Sequence, residues 1–354
     1  MDEILAQLSE DYVIYAPKWD KFKKNVRFGQ IKSVSEIVLD RQTDFSVKET
    51  FYPISQIMVY FKTDDIEEEE LKEKRDILVF ARPCDINGIR RLDKIFYDNG
   101  LPDYYYARMR EKVKLVLLEC KEGFENCFCV SMNSNTVKEE DYVMAVRFDT
   151  DDEGDIEDIY VKVNDEAFDE LFEDEEVEDF EPEFVKANAK VMNPPDISRA
   201  NLKAISDLEY WKQYDERCIG CGGCNTVCGT CSCFDTSDII YEEGKPDGER
   251  RRVWSSCMIP TFTETAGGAR SRKTQGANMR FKVFHKFYDF KARFGEENMC
   301  IGCGRCDMRC PQDISFFDAV NDLNAEIEAL NNDTEQEQKY KRQRTCGQQK
   351  SAAK

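Results

Sequence analysis

Two cysteine runs near the C-terminal end carry the residue types and spacing for redox chemistry. They read Cys218-x2-Cys221-x2-Cys224-x3-Cys228-Gly229 and Cys300-x2-Cys303-x2-Cys306-x3-Cys310-Pro311. Three thiolates two residues apart can wrap one tight loop around three corners of an iron–sulfur cube. A fourth, three residues on, starts a helix and faces away from that loop towards a second cube. The spacing is that of the bacterial two-cluster run, a match of pattern, and two copies in one chain imply an electron carrier with two [4Fe–4S] clusters. Gly220, Gly222, Gly302 and Gly304 supply the unusual backbone angles of such loops and free amides to point at the sulfurs. A zinc site is the structural alternative, but zinc closes with four ligands, usually from two separated pairs, and two successive x2 spacings overfill it.

If the chain follows the two-cluster rule, the fourth cysteine of each run serves the other cube. One cluster then takes Cys218, Cys221, Cys224 and Cys310, the other Cys300, Cys303, Cys306 and Cys228. Gly229 stands where the pattern puts proline, and Cys231 and Cys233 follow at once as substitute thiols. Four more cysteines fall where strands are expected to end: Cys84, Cys120, Cys127 and Cys129. Strand ends collect functional groups in α/β folds, and four thiols close one cluster, so a third iron–sulfur cluster is one reading. The other is that free cysteines are common small buried hydrophobes.

The elements that must position these thiols differ between the two halves. In the first, Ile4 to Tyr15 reads as a short helix and then a strand, and Met58–Phe61 as a buried strand. Asp64 to Glu70 reads as a solvated helix start or loop. Ile77–Ala81 is a short apolar run, and Asp85 can cap a helix with Ile86, Ile89, Leu92 and Ile95 on one side. Val113–Leu118 is a second apolar run. Strand, helix, strand predicts an α/β or α+β domain over residues 1–195. The acid-dominated stretch from Asp151 to Glu183 still alternates apolar residues, which predicts an acidic strand and helix at the domain edge.

Asn193-Pro194-Pro195-Asp196 predicts a linker, since two prolines cannot continue a helix and Asp196 can cap the next. From Ile197 to Trp211 apolar residues recur at helical intervals, predicting a helix that delivers the chain to Cys218. About seventy residues separate the runs. Met279, Val283, Phe287 and Phe290 give a broad helical face suited to helix–helix core. Val320, Leu323, Ile327 and Leu330 predict another helix. Residues 196–330 thus read as an all-helical two-cluster ferredoxin-like domain, and 331–354 as a polar, disordered tail. Between the runs Arg250 to Arg252, Lys282, Lys286 and other cations reverse the chain's charge, and cations beside a cluster favour its reduced form.

Composition bounds the function. At 354 residues the chain can hold two domains, and 41% hydrophobic residues are a globular value. A net charge of −21 excludes the basic surface that nucleic acid demands. The absence of a long apolar run predicts no membrane span, and Met1-Asp2-Glu3-Ile4-Leu5, with neither a basic nor a long apolar region, gives the expectation of no export signal. Sixteen cysteines without such a signal point to metal or redox use in a reducing cytoplasm, under little oxygen. One histidine and no recognisable nucleophile elbow or paired carboxylates give no catalytic residue to propose, and no Gly-x-Gly-x-x-Gly fingerprint places a nicotinamide.

Taken together, the two runs, Thr230-Cys231-Ser232-Cys233-Phe234-Asp235, Trp254-Ser255-Ser256-Cys257-Met258, Ala266-Gly267-Gly268, His285-Lys286-Phe287, Arg82-Pro83-Cys84-Asp85-Ile86 and Cys127-Phe128-Cys129 resemble the iron–sulfur subunit of anaerobic sulfite reductases. The β subunits of sulfhydrogenase-type nickel–iron hydrogenases look much the same over these motifs. The first resemblance implies an oxidoreductase subunit with an α-helical ferredoxin domain. It would relay electrons from a flavin subunit that oxidises NADH to a sirohaem subunit that reduces sulfite to sulfide. The second implies the same relay with a different destination. A zinc-binding scaffold without redox work is the alternative from another class.

Overall fold

The computed structural model describes residues 1–332 except 72, 152, 153, 155, 174–179 and 296. In the first half the elements are α1 (Asp2–Asp11), β1 (Tyr12–Trp19), β2 (Val26–Gln30), β3 (Ser55–Lys62), β4 (Asp65–Glu68), β5 (Asp76–Ala81), α2 (Pro83–Tyr97), α3 (Tyr104–Arg110), β6 (Val113–Leu118), β7 (Met144–Thr150) and β8 (Ile156–Val163). Six strands form one sheet in the order β2-β1-β5-β6-β7-β8, parallel from β1 to β7 and antiparallel at both edges. Side chains alternate across a strand, so Ile77, Val79 and Ala81 pack with Ile86, Ile89 and Leu92 of α2 on one face. Leu78 and Phe80 pack with Ile4, Leu5 and Leu8 of α1 on the other. This is the expected α/β layer.

Two local expectations fail. Asp65–Glu68 is a strand, exposed throughout, which pairs with β3 at a sheet edge and ties Glu67 to Lys62 and Glu68 to Arg108. Charge is tolerated there because an edge strand keeps one side in water. Asp85 does not cap α2, whose cap is Arg82 and whose first residue is proline; it lies inside the first turn and is buried. Met58–Phe61 is a strand as expected, but only half-buried.

The second half contains α4 (Leu202–Ser206), α5 (Gln213–Arg217), α6 (Gly223–Thr226), β9 (Phe234–Ile240), β10 (Gly248–Trp254), α7 (Gln275–Phe284), α8 (Phe290–Phe294), α9 (Arg305–Arg309) and α10 over residues 316–332. The helix expected from Ile197 to Trp211 is broken. Asp207 leaves helical geometry at φ −89° and ψ 0°, and the Trp211 indole folds back to donate to the Ile205 carbonyl at 2.8 Å. Helices α7 and α8 run on through one widened turn, His285–Asp289. Their apolar face joins Trp211, Tyr214, Ile314, Phe316, Val320, Leu323 and Ile327 in a second core.

The expectation of an all-helical cluster domain is corrected by β9 and β10. They form a ribbon between the two cysteine runs and continue into a second sheet, β4-β3-β10-β9. The two halves of the chain on either side of Pro194-Pro195 therefore share a sheet. The polar tail expected at 331–354 falls, from residue 333 onward, outside the described residues.

Candidate metal centres

Each cysteine run folds as the same loop. Gly220 and Gly222 sit at φ +69° and +75°, and Gly302 and Gly304 at +64° and +71°. The second glycine of each pair caps a short helix, α6 or α9, and these two helices pack together. Burial raises the Cys218 and Cys300 thiols, the latter to about 12, while the backbone N–H of Gly220 and Gly302 respectively pulls them back down. Amides aimed at sulfur are a recognised control on cluster potential.

Packing of the loops brings the fourth cysteine of the second run to the first. Cys218, Cys221, Cys224 and Cys310 line one small cavity of about 30 Å³, partly open to solvent, with Cys306 and Lys282 in its wall. Cys221 is exposed, and neighbouring Ile219 is 60% exposed. The other expected set lies deeper. Buried Cys303 and half-buried Cys300 lie within electrostatic reach of Cys228, and Cys306 of both Cys300 and Cys303. One thiol set thus faces the surface, the other the interior.

The deeper loop is clasped by the first half of the chain. Phe128 N–H donates to the Gly302 carbonyl at 2.7 Å, Ser134 Oγ to the Ile301 carbonyl at 2.5 Å and Gln42 Nε2 to the Cys303 carbonyl at 2.8 Å. A Cβ on Gly304 would meet the Asn126 oxygen at 2.1 Å, so only glycine admits this approach. Helix α2 supplies the rest. Arg91 Nε donates to the Asn298 carbonyl at 2.7 Å, and Asp85 pairs with Arg305 at 2.8 Å, both fully buried. Against the desolvation that lowers it, Asp85 first and then the Cys303 and Cys84 sulfurs hold the Arg305 guanidinium well above its usual range.

Three lysines are buried among the thiols: Lys48, Lys282 and Lys286, at 2%, 4% and 3% exposure. Lys286 Nζ donates to Cys228 Sγ at 3.3 Å and to Thr230 Oγ1 at 2.6 Å. Lys48 Nζ donates to the Cys231 carbonyl at 2.9 Å and lies 4.0 Å from the Trp254 ring centre. Burial opposes the charge on each. It prevails at Lys48, whose pKa is lowered, whereas surrounding sulfurs outweigh it at Lys282 (Cys224 and Cys306 foremost) and Lys286 (Cys228 and Cys231 foremost). Among the described residues their partners are sulfur, hydroxyl and backbone oxygen, not carboxylate. Buried ammonium groups are costly unless an anion accompanies them. Eight thiolates around iron–sulfur cores, each with net negative charge, meet that requirement, so the donor set fits two clusters.

Cys84, Cys120, Cys127 and Cys129 gather at the carboxyl edge of the parallel strands β5 and β6, as the strand-end argument expects. Burial drives Cys120 to about 11 and Cys127 to about 12, with Cys129 acting on both; Cys84 is raised by burial too and feels Cys303 and Cys127. They are adjacent to the deeper loop: Cys127 Sγ lies 3.9 Å from the Cys303 carbonyl oxygen. For the zinc alternative, no group of three or more His, Cys, Asp or Glu among the described residues converges as a single-ion site.

Several supporting residues escaped the sequence reading. Gln42, Lys48, Ser134 and Arg91 carry no motif. Arg91 alone left a trace, as a cation two residues beyond Ile89 on a face that is otherwise buried.

Residues 217–314 match the 4Fe-4S dicluster domain family. The chain is 29% identical over 342 residues to sulfhydrogenase 2 subunit beta of Pyrococcus furiosus, an alignment covering 91% of this chain and 95% of that protein. Over 110 residues it is 30% identical to F420-dependent formate dehydrogenase subunit beta of Methanocaldococcus jannaschii, covering 30% of this chain and 20% of that one. No solved structure matches. The chain carries two [4Fe–4S] clusters and is an iron–sulfur electron-transfer subunit akin to these β subunits. Among the described residues, no helix is long and apolar enough to cross a membrane.

Proposed function

We propose that this chain is the electron-relay subunit of a cytoplasmic, multi-subunit oxidoreductase of the sulfhydrogenase type. The observation that carries the reading is the meeting of Cys310 with Cys218, Cys221 and Cys224 in one cavity, in a chain alike along its length to a hydrogenase β subunit. In this reading Cys218, Cys221, Cys224 and Cys310 hold the outer cluster, and Cys300, Cys303, Cys306 and Cys228 the inner. The clusters supply one-electron transfer. The protein's own residues fix the loops through Arg305 and Asp85, exclude water from the inner site, and balance its charge with Lys282 and Lys286. The exposed edge at Cys221 and Ile219 is where a redox partner approaches.

The partners in this reading are a flavin subunit that exchanges electrons with NAD(P)H and a nickel–iron subunit. The motif resemblance supports a second reading, in which the terminal partner is a sirohaem subunit that reduces sulfite. Anaerobic co-purification separates them: nickel and hydrogen-dependent viologen reduction support the first reading, whereas sirohaem absorption with NADH-dependent sulfite reduction replaces it with the second. The cluster of Cys84, Cys120, Cys127 and Cys129 beside Cys303 supports a third cluster. About twelve irons per chain, falling by about four in Cys127→Ser, is the expected result. About eight irons, unchanged in that variant, removes the third cluster.

A further inference from the structure

Three buried or half-buried cysteines, Cys231, Cys233 and Cys257, belong to neither run and to neither candidate cluster. Two of them are brought together by the ribbon. Phe234 at the start of β9 pairs with Trp254 at the end of β10, and Ser255 N–H donates to the Cys233 carbonyl at 2.8 Å. Cys233 thus leaves the base of one strand where the chain leading to Cys257 leaves the other, and their thiols are in hydrogen-bonding contact.

We propose that Cys233 and Cys257 form a dithiol that reacts with small disulfides by thiol–disulfide exchange. The two thiols are not equivalent. Cys233 is partly exposed, so a substrate sulfur can reach it. Cys257 is buried, and its sulfur accepts from Asn225 Nδ2 at 3.0 Å, which fixes it behind its partner. The hydrogen bond from Cys257, together with Lys286 and Lys48, pulls the Cys233 thiol down to about 6 despite its burial. A thiol so placed is the attacking group, and the buried partner is the resolving one.

The exchange balances without a further oxidant. The Cys233 thiolate attacks one sulfur of a disulfide RS–SR, forming the mixed disulfide between the Cys233 sulfur and SR and breaking the sulfur–sulfur bond of RS–SR, with release of RS⁻. Cys257 then loses its proton and attacks the Cys233 sulfur, forming the Cys233–Cys257 bond and releasing the second RS⁻. The two thiolates take up the two protons that the dithiol has lost. RSSR is reduced by two electrons and the protein dithiol is oxidised by two. The product closes the base of the ribbon with a covalent bond and removes the Cys257 thiol from Asn225, whose Oδ1 lies 3.7 Å from Cys224 Sγ. Oxidation at this pair is therefore sensed one residue from an outer-cluster ligand.

The test uses the anaerobically purified complex with its clusters in place, equilibrated in buffers of graded oxidised-to-reduced glutathione ratio. Free thiols are then alkylated and peptides identified by mass spectrometry. The expected result is a linked Cys233–Cys257 peptide that appears and disappears reversibly while iron content and visible absorption stay constant. Cys257→Ser is expected to trap glutathione on Cys233, and Cys233→Ser to trap none at either position. The proposal is overturned if no linked peptide forms at full oxidation with the clusters intact. It is also overturned if Cys233→Ser or Cys257→Ser lowers the iron content of the folded protein, which would make these thiols metal ligands.

Discussion

Lys286 offers the sharpest test of the charge balance around the inner centre. Its ammonium lies 3.3 Å from Cys228 Sγ, is 3% exposed and sits within reach of Cys300. An electron added to a cluster held by Cys228 is spread beyond that sulfur, at roughly 5–7 Å from Nζ. At an effective dielectric of about 20 one charge pair at that separation is worth about 2–3 kcal/mol. For a one-electron couple this is on the order of 100 mV. Removing the cation disfavours the more negative, reduced form, so Lys286→Met is expected to shift the inner potential downward by that amount. Met is close to the side chain's volume, and it loses the charge together with the hydrogen bonds to Cys228 and Thr230. The assay is a mediated redox titration followed by electron paramagnetic resonance, in which the two clusters are separated by their midpoints. A Lys286→Met protein with full iron content and two unchanged midpoints would falsify the electrostatic account, since no screening in a buried site could hide a charge at this distance. A fall confined to the solvent-facing cluster would instead refute the placement of Cys228 in the inner set.

Other outcomes follow from single contacts. Asp85→Asn leaves the buried Arg305 guanidinium without its carboxylate and is expected to cost about 3–5 kcal/mol in anaerobic urea unfolding, whereas a surface pair such as Lys203–Asp207 costs less than about 1 kcal/mol when broken. Gly304→Ala places a Cβ against the Asn126 oxygen at φ +71°; it is expected to lose roughly half of the bound iron, while Gly267→Ala, with open space around it, keeps all of it by iron analysis. Alkylation of Cys233 by iodoacetamide needs the thiolate. With its pKa pulled below the ordinary 9.0 to about 6, reactivity rises as pH climbs through about 6 and is level by neutrality. A rate that climbs only above pH 8 contradicts that assignment.

The sequence was most informative where local rules decide the outcome. The loop geometry was legible because spacing and glycine together leave few conformations, and the positive φ angles at Gly302 and Gly304 realise it. Strands β5 and β6 were legible because buried parallel strands read as continuous apolar runs. What stayed hidden was set by distant partners. Asp85 looks like a cap from its neighbours alone, and only Arg305, brought in by the fold, makes it half of a buried ion pair. Lys48 reads as a surface cation until its short helical turn is seen against Cys231 and Trp254. The ribbon is hidden because charged residues interrupt both strands, above all Glu249 to Arg252 in β10, and its pairing partner β3 lies far away in sequence. The break at Asp207 was missed because periodicity counts apolar positions and does not register where an indole N–H must find an acceptor.

The clasp on the inner loop has a consequence for synthesis. Gln42 reaches a carbonyl 261 residues away, and Arg305 closes on Thr43 across 262. During translation the six-stranded sheet, complete by Val163, can fold early, but its edge at Gln42, Asn126 and Ser134 must wait. Closing so long a loop is entropically slow, and it comes only when residue 305 has left the ribosome. Iron delivered before then meets the thiols of the first run without those of the second. Cofactor loading in this chain is thus a step that belongs to the finished polypeptide.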